Sequence, residues 1–214
     1  ALEEGAPEGA ERSADGSVKA CLADLCRRSS PLDAGTTWET KWLLLLQAWI
    51  NVLQNGVSVS CLALAAKPYG RVVYQAAQTV SLVIDPAVSA LGFHMPVSAF
   101  GLVPVVIAMT ALHGYILVLS LDCVTPPFLS EGLADRHSSR WGPGGGLLVA
   151  VVAIGRATTA YTKMRANMLL QERAGQEAES RLIQSGVAMQ CGAFSGSVVL
   201  YLLINYTGLF RSPY

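Results

Sequence analysis

WINVLQNGVSVSCLALAAKPYG, residues 49–70, is apolar enough to sit in hydrocarbon, yet Asn51, Gln54, Asn55 and Gly56 stand in its middle. An amide without a hydrogen-bond partner is costly in a bilayer, so such side chains face other helices or a water-filled cavity. Asn51, Asn55, Ser58 and Cys61 are spaced i, i+4, i+7, i+10, which places them on one helical stripe, with Gln54 at its border. Interhelical glue is one reading of the stripe, at roughly 0.6–2 kcal/mol per hydrogen bond. Three carboxamides within five residues exceed what packing needs. Each both donates and accepts, which suits a neutral, heteroatom-rich ligand. Asn51, Gln54 and Asn55 are therefore expected to line a pocket.

The rest of the chain agrees with a membrane setting. Of 214 residues, 52% are hydrophobic and 14% charged. Soluble domains carry about 25% charged residues. Equal numbers of acidic and basic residues give no polyanion-binding signal, so no nucleic-acid partner is expected. Residues 1–41 are rich in Ala, Gly, Glu, Ser and Pro and read as a disordered cytosolic loop or tail without a targeting peptide. The chain begins with Ala, and a fragment of a longer protein is the simpler explanation.

Five apolar segments follow, at about 42–66, 72–91, 97–121, 146–161 and 182–210. A helix needs roughly 20 residues to cross a hydrocarbon core. The fold expected is all-α and integral to the membrane, with five transmembrane helices. The fourth segment is the shortest and contains Arg156. The stretch 163–181 after it reads as a solvated charged connector, with a cytosolic amphipathic helix as the alternative. Counting Lys163, Arg165, Arg173 and Arg181 with the five basic residues of the tail gives nine against five on the opposite side, which places the tail in the cytosol.

Polar residues recur within these segments. Tyr74, Gln78, Ser81, Asp85 and Ser89 form a second stripe, of which Tyr74 and Gln78 join the candidate substrate contacts. Asp85 and Arg156 are expected to pair across helices, each about 8–9 Å below the cytosolic surface at 1.5 Å rise per residue. Gly192 and Gly196 have the small-xxx-small spacing of close helix packing. His113 reads as a hydrogen-bonded structural residue, Cys61 and Cys191 as buried thiols, and Pro86 and Pro104 as kink candidates. Cys123 stands beside a loop, where oxidation is conceivable. No metalloprotease, P-loop or dinucleotide motif occurs, and no nucleophile–base constellation, so an enzyme is not expected.

NGV at 55–57, followed ten residues later by PYGRVVYQAA at 68–77, resembles the eukaryotic riboflavin transporter family of solute carriers. The likeness continues through AYTK at 160–163 and SGVAMQCGAFSGSVVLYLLINYTGLF at 185–210. The resemblance implies eleven helices in a two-lobed, major-facilitator-like arrangement, of which this chain holds the C-terminal five, without the N-terminal six-helix lobe. It implies riboflavin as substrate, transport by alternating access in the plasma membrane, and no cofactor or metal. Gln54 and Asn55 become substrate contacts, with Tyr74 or Trp49 stacking on the flavin ring. Pro68, Tyr69 and Gly70 form the outer turn, and Gly56 is structural. Asp85, where the family more often shows Asn before Pro, and Arg156 are departures with structural or gating roles. The rival readings are a carrier of another polar heterocycle, such as a nucleoside, and a non-transporting membrane scaffold.

Overall fold

A computed structural model describes residues 37–95, 97–121, 142–207 and 210. The tail over residues 1–36 and Cys123 lie outside them. Every regular element among the described residues is helical. The first, α1 (Trp38–Asn51), begins four residues before the expected segment because Thr37 caps it. The Thr37 hydroxyl accepts from the Thr40 amide at 3.4 Å, and Glu39 places an acidic group in the first turn, where the helix dipole favours it.

The interrupted stretch does not break the helix. Val52–Ser58 winds as a π-helix and α2 (Val59–Ala66) resumes the α geometry, so that with a closing 3₁₀ turn the rod runs from Trp38 to Tyr69. Gly70, at φ +95°, then reverses the chain directly into α3 (Arg71–Gly92). That backbone conformation is open to glycine and strained for other residues. The PYG motif is therefore the turn expected of it, made by one residue between two helices.

Beyond α3 come α4 (Leu102–Leu121), α5 (Pro143–Ala174) and α6 (Ala178–Tyr206). Among the described residues four rods are long and apolar enough to cross a membrane: Trp38–Tyr69, Leu102–Leu121, Pro143–Ala174 and Ala178–Tyr206. The fifth helix of the expected set, α3, forms over 22 residues but falls short in apolarity. It is the most amphipathic of the long helices and carries Gln75, Gln78 and Asp85. The structure thus shows an all-α, multi-helix membrane protein with four strongly apolar spans.

Two expectations need correction. The fourth segment does not end at Tyr161: α5 continues to Ala174 as a 32-residue helix, about 48 Å at 1.5 Å per residue. The stretch 163–181 is accordingly the end of α5, a 3₁₀ turn at Gly175–Glu177 and the start of α6. Lys163 and Arg165 leave the loop charge count, because both side chains make hydrogen bonds to other parts of the bundle. Pro104 does not kink a helix interior; it lies in the first turn of α4, where no intrahelical N–H bond is lost. Pro86 does lie inside α3, which runs through it.

The helices alternate in direction. Gly192 and Gly196 of α6 pack against Ala48 and Val52, so α1 and α6 are parallel. Gln47 and Asn51 meet Asn167 and Lys163, so α1 and α5 are antiparallel. Gly145 faces Val73 and Gly92 faces Met164, so α3 runs with α5, while Trp49 meets Thr110 and Cys61 meets Ser120, so α4 runs with the rod and against α5. The α1–α2 rod is the most buried span and α6 the least. Large apolar side chains such as Leu82, Phe100, Ile107 and Phe194 point outward, the pattern of a lipid-facing surface. With apolar groups on both sides, van der Waals packing and interhelical hydrogen bonds hold the bundle more than hydrophobic burial does.

Candidate functional site

The stripe begins one turn earlier than the sequence reading placed it. Gln47, fully buried, donates from Nε2 to the Lys163 carbonyl at 3.1 Å and to Asn167 Oδ1 at 2.8 Å. Asn167 Oδ1 also accepts from Ser185 Oγ at 2.8 Å, which ties α1, α5 and α6 at one level. Asn51, 4% exposed, donates from Nδ2 to the Gln47 carbonyl at 2.8 Å. Its Oδ1 accepts from Lys163 Nζ at 3.2 Å and from Asn55 Nδ2 at 3.4 Å. Lys163 Nζ also donates to Gln54 Oε1 at 3.4 Å. Gln54 and Asn55 are half-buried. Three carboxamides on the rod and one lysine on α5 thus form a single cluster.

The π-helical turn helps to set this geometry. Its i→i+5 bonding widens the helix locally, and such turns recur at functional sites. Gly56 stands in it with its α-carbon against Gly196; an added Cβ would lie 3.0 Å from the Gly196 backbone. Close approach on the α6 side and a hydrogen-bonded lysine on the α5 side hold the turn between two helices.

A second set of charges adjoins the first. Arg156 and Lys163 are seven residues apart and share one face of α5. Arg156 Nη1 stands 3.7 Å from Asp85 Oδ2, so the two groups expected to pair face each other across α3 and α5. The contact is ionic without a hydrogen bond: Asp85 Oδ1 and Arg156 Nη1 are buried without a hydrogen-bond partner. Arg156 is in mid-helix rather than near a helix end, because α5 continues far beyond it.

Beside Arg156 is a cavity of about 20 Å³, lined in part by Ser58, Gln78 and Ser81. That volume suits one water molecule. Gln78 Nε2 donates to Tyr74 Oη at 3.2 Å. Tyr74 itself borders an open groove of about 280 Å³ at the turn, with Lys67, Gly70 and Arg71.

The expected site residues therefore separate into groups. Asn51, Gln54 and Asn55 are together; Gln78, Asp85 and Arg156 form a neighbouring group; Tyr74, Tyr69 and Gly70 belong to the turn. Tyr74 lines the groove together with Ala63 and Ala66 of α2, and Ala63 is about 12 Å along the rod from Asn55. Trp49 donates from Nε1 to Thr110 Oγ1 at 3.1 Å, which fixes it towards α4. His113 bonds the Met109 carbonyl through Nδ1 at 2.8 Å, a structural role. Cys61 is buried and Cys191 exposed. Among the described residues no cluster of three His, Cys, Asp or Glu side chains is placed to hold a metal ion.

Gln47, Lys163, Asn167 and Ser185 were missed in the sequence. The signal was present: Gln47 precedes Asn51 by four residues, and Lys163 and Asn167 follow Arg156 by seven and eleven. Reading α5 as ending at Tyr161 removed Lys163 and Asn167 from the membrane-spanning set, whereas Gln47 and Ser185 lay inside expected segments.

The family described as solute carrier family 52, riboflavin transporter, matches residues 6–212. "Riboflavin transporter rft-2" of Caenorhabditis elegans is 32% identical over 186 residues, covering 85% of this chain and 36% of that protein. "Solute carrier family 52, riboflavin transporter, member 3-B" of Danio rerio is 25% identical, covering 87% of this chain and 39% of its own length. The human member 3 is 27% identical, with 80% and 34% covered. The chain spans a little over a third of the length of these relatives. No solved structure matches it. On the family match and the nematode relative, the chain belongs to the solute carrier 52 riboflavin transporter family, a family of transporters rather than enzymes.

Proposed function

We propose that this chain supplies one side of a substrate path through the membrane and that the substrate is riboflavin. The carrying observation is the carboxamide cluster, with Gln54 and Asn55 half-buried beside a lysine that holds two of its oxygens. Within it the roles divide. Asn51 is buried and its carbonyl oxygen is occupied by two donors, so it positions its neighbours. Gln54 and Asn55 retain bonding capacity and take the substrate-contact role. Gln78, Asp85 and Arg156 form a gating group next to it, and Tyr74 with Pro68, Tyr69 and Gly70 belongs to the turn.

The isoalloxazine ring carries carbonyl and imide groups along one edge, which carboxamides bind in plane. A small cavity holding one water is too small for a ligand of that size; ligand pockets are commonly 300–1,000 Å³. The chain therefore acts as the C-terminal lobe of a larger protein in the plasma membrane. Rocking of this lobe against an N-terminal one opens the site to each side in turn.

The test is riboflavin uptake by the full-length protein carrying Asn55→Ala, compared with wild type at equal surface level. Loss of one good hydrogen bond in a desolvated site is expected to lower apparent affinity about tenfold. Unchanged uptake removes Asn55 from the site. Uptake of a labelled nucleoside, with no riboflavin uptake in the wild type, identifies the rival carrier instead.

A further inference from the structure

We infer that the open groove at the turn between α2 and α3 is a second docking site on the substrate path, for the planar ring of an aromatic heterocycle. The inference rests on the reading of Gln54 and Asn55 as substrate contacts and gives the same path a second station. The groove has a volume of about 280 Å³ and is lined by Ala63, Ala66, Lys67, Gly70, Arg71 and Tyr74. Ligand pockets commonly measure roughly 300–1,000 Å³, so this one suits a ring system rather than a whole extended ligand.

The lining has the chemistry of a stacking platform. Ala63, Ala66 and Gly70 are small, and no heavy atom comes within 4 Å of an ideal Cβ at Gly70. That leaves room beside Tyr74. Tyr74 is half-buried, and its hydroxyl accepts from Gln78 Nε2 at 3.2 Å, which ties the ring to its own helix. Lys67 and Arg71 add two cations, and among the described residues Arg71 has no carboxylate partner. A ring with carbonyl oxygens or an anionic substituent suits both features: its face stacks on Tyr74 and its oxygens meet the cations.

The groove is connected to the carboxamide cluster. Val59, Ala63 and Lys67 follow Asn55 at steps of four residues, the spacing that keeps side chains near one face of a helix. Asn55 is half-buried, Val59 is 60% exposed, and Ala63 and Lys67 are exposed. No described helix therefore covers this strip of the rod. A ligand in the groove touches Ala63 and reaches Gln54 and Asn55, about 12 Å along the rod, without crossing a packed helix. A lipid phosphate would also meet Lys67 and Arg71, but it would use neither Tyr74 nor the uncovered strip.

The experiment titrates the purified full-length protein with riboflavin, with binding read by quenching of flavin fluorescence and stoichiometry by equilibrium dialysis. Wild type is expected to bind two riboflavins per chain. Tyr74→Ala should weaken one of them about tenfold or more, the loss of a stacking partner, and leave the other within about twofold. Tyr74→Phe keeps the ring and should keep both sites. Asn55→Ala should weaken the other site alone. Riboflavin 5′-phosphate should bind the groove about two- to fivefold more tightly than riboflavin, and Arg71→Gln should remove that advantage.

One riboflavin per chain in wild type overturns the inference, and so does a second site that Tyr74→Ala leaves intact. A groove that takes dihexanoyl phosphatidylglycerol and not riboflavin is a lipid site and overturns it as well. Should Tyr74→Ala fail to fold, Ala63→Leu fills the groove from an exposed position and makes the same comparison: loss of one site supports the inference and retention of both overturns it. Loss of one site in Tyr74→Ala, with Asn55→Ala silent, supports the groove while refuting the Asn55 contact. Binding of no riboflavin overturns both.

Discussion

The close packing of α1 against α6 can be tested with one kind of substitution at two positions of the same helix. At Gly192 an added Cβ would meet the Ala48 carbonyl oxygen and lie 2.8 Å from Ala48 Cα and C, where ordinary contact begins near 3.4 Å. The obstacle is backbone, so it cannot rotate away. Gly192→Ala must push α6 outward by at least about 0.6 Å at that level, and a gap of 0.5–1 Å forfeits roughly a quarter to a half of the dispersion attraction of the facing atoms. Overpacking of this kind costs about 1–3 kcal/mol, offset by about 1 kcal/mol for the better helix propensity of Ala over Gly. Gly186, six residues earlier in α6, has no heavy atom within 4 Å of its ideal Cβ. Gly186→Ala should keep the propensity gain and stabilise by about 0.5–1 kcal/mol.

The two variants should therefore differ by about 0.5–3 kcal/mol, with Gly192→Ala the less stable. At roughly 2–4 °C per kcal/mol for a chain of this size, their melting temperatures should lie about 1–12 °C apart. The assay is thermal melting of the detergent-solubilised full-length protein, followed by the loss of the monodisperse peak in size-exclusion chromatography. Gly196→Ala, whose Cβ would lie 2.8 Å from Val52 backbone, should fall below wild type but above Gly192→Ala. If Gly192→Ala melts with or above Gly186→Ala, the close approach of α1 and α6 does not exist in the protein.

Further outcomes follow from the polar contacts. Asp85→Leu leaves Arg156 without its counter-charge; a broken buried pair costs 3–5 kcal/mol, and the 35% exposure of Asp85 reduces this to about 1–3 kcal/mol. The exchange Asp85→Arg with Arg156→Asp should recover part of the lost folded yield, and a double variant no better than either single refutes the pairing. Gln47→Leu removes the side-chain bonds to the Lys163 carbonyl and Asn167, and should destabilise by about 1–3 kcal/mol; a double-mutant cycle with Asn167→Leu should be strongly non-additive, and additivity would dismiss the link. Arg165→Met frees the Val97 carbonyl, held by Arg165 Nη2 at 3.1 Å, and should speed amide exchange over residues 97–101 about tenfold with little change elsewhere.

Much of the fold was legible because hydropathy and segment length speak directly to a membrane. The second half of α5 was lost for one reason. A polar face turned into a bundle reads in sequence like the start of a loop, and Thr162, Lys163 and Arg165 end the apolar run of α5 while the helix continues. Arg165 is 4% exposed, with its guanidinium on the Val97 carbonyl. A hydropathy window registers its charge and cannot register its partner. The pairing of Asp85 with Arg156 was accessible because both interrupt apolar runs and so call for an explanation. Lys163 called for none once it had been assigned to a solvated connector. The PYG turn was legible from its glycine, whereas the π-helix was not, since no residue pattern distinguishes i→i+5 bonding from i→i+4 over seven residues.

The departure from α geometry also changes which residues the rod turns towards its neighbours. An α-helix would set Gln54, four residues before Ser58, under the same regular phase as its neighbours. The π turn instead changes the phase between α1 and α2, so the rod presents one register to α5 at Gln47 and Asn51 and another to the cavity at Ser58. Gln54 and Asn55 fall inside the phase change, and adjacent side chains there point outward less divergently than two neighbours separated by the usual 100° of an α-helix. The polar interruption and the irregular winding thus coincide: Gln54 and Asn55 lie inside the π turn, and Lys163 Nζ holds the side-chain oxygens of Asn51 and Gln54 beside it.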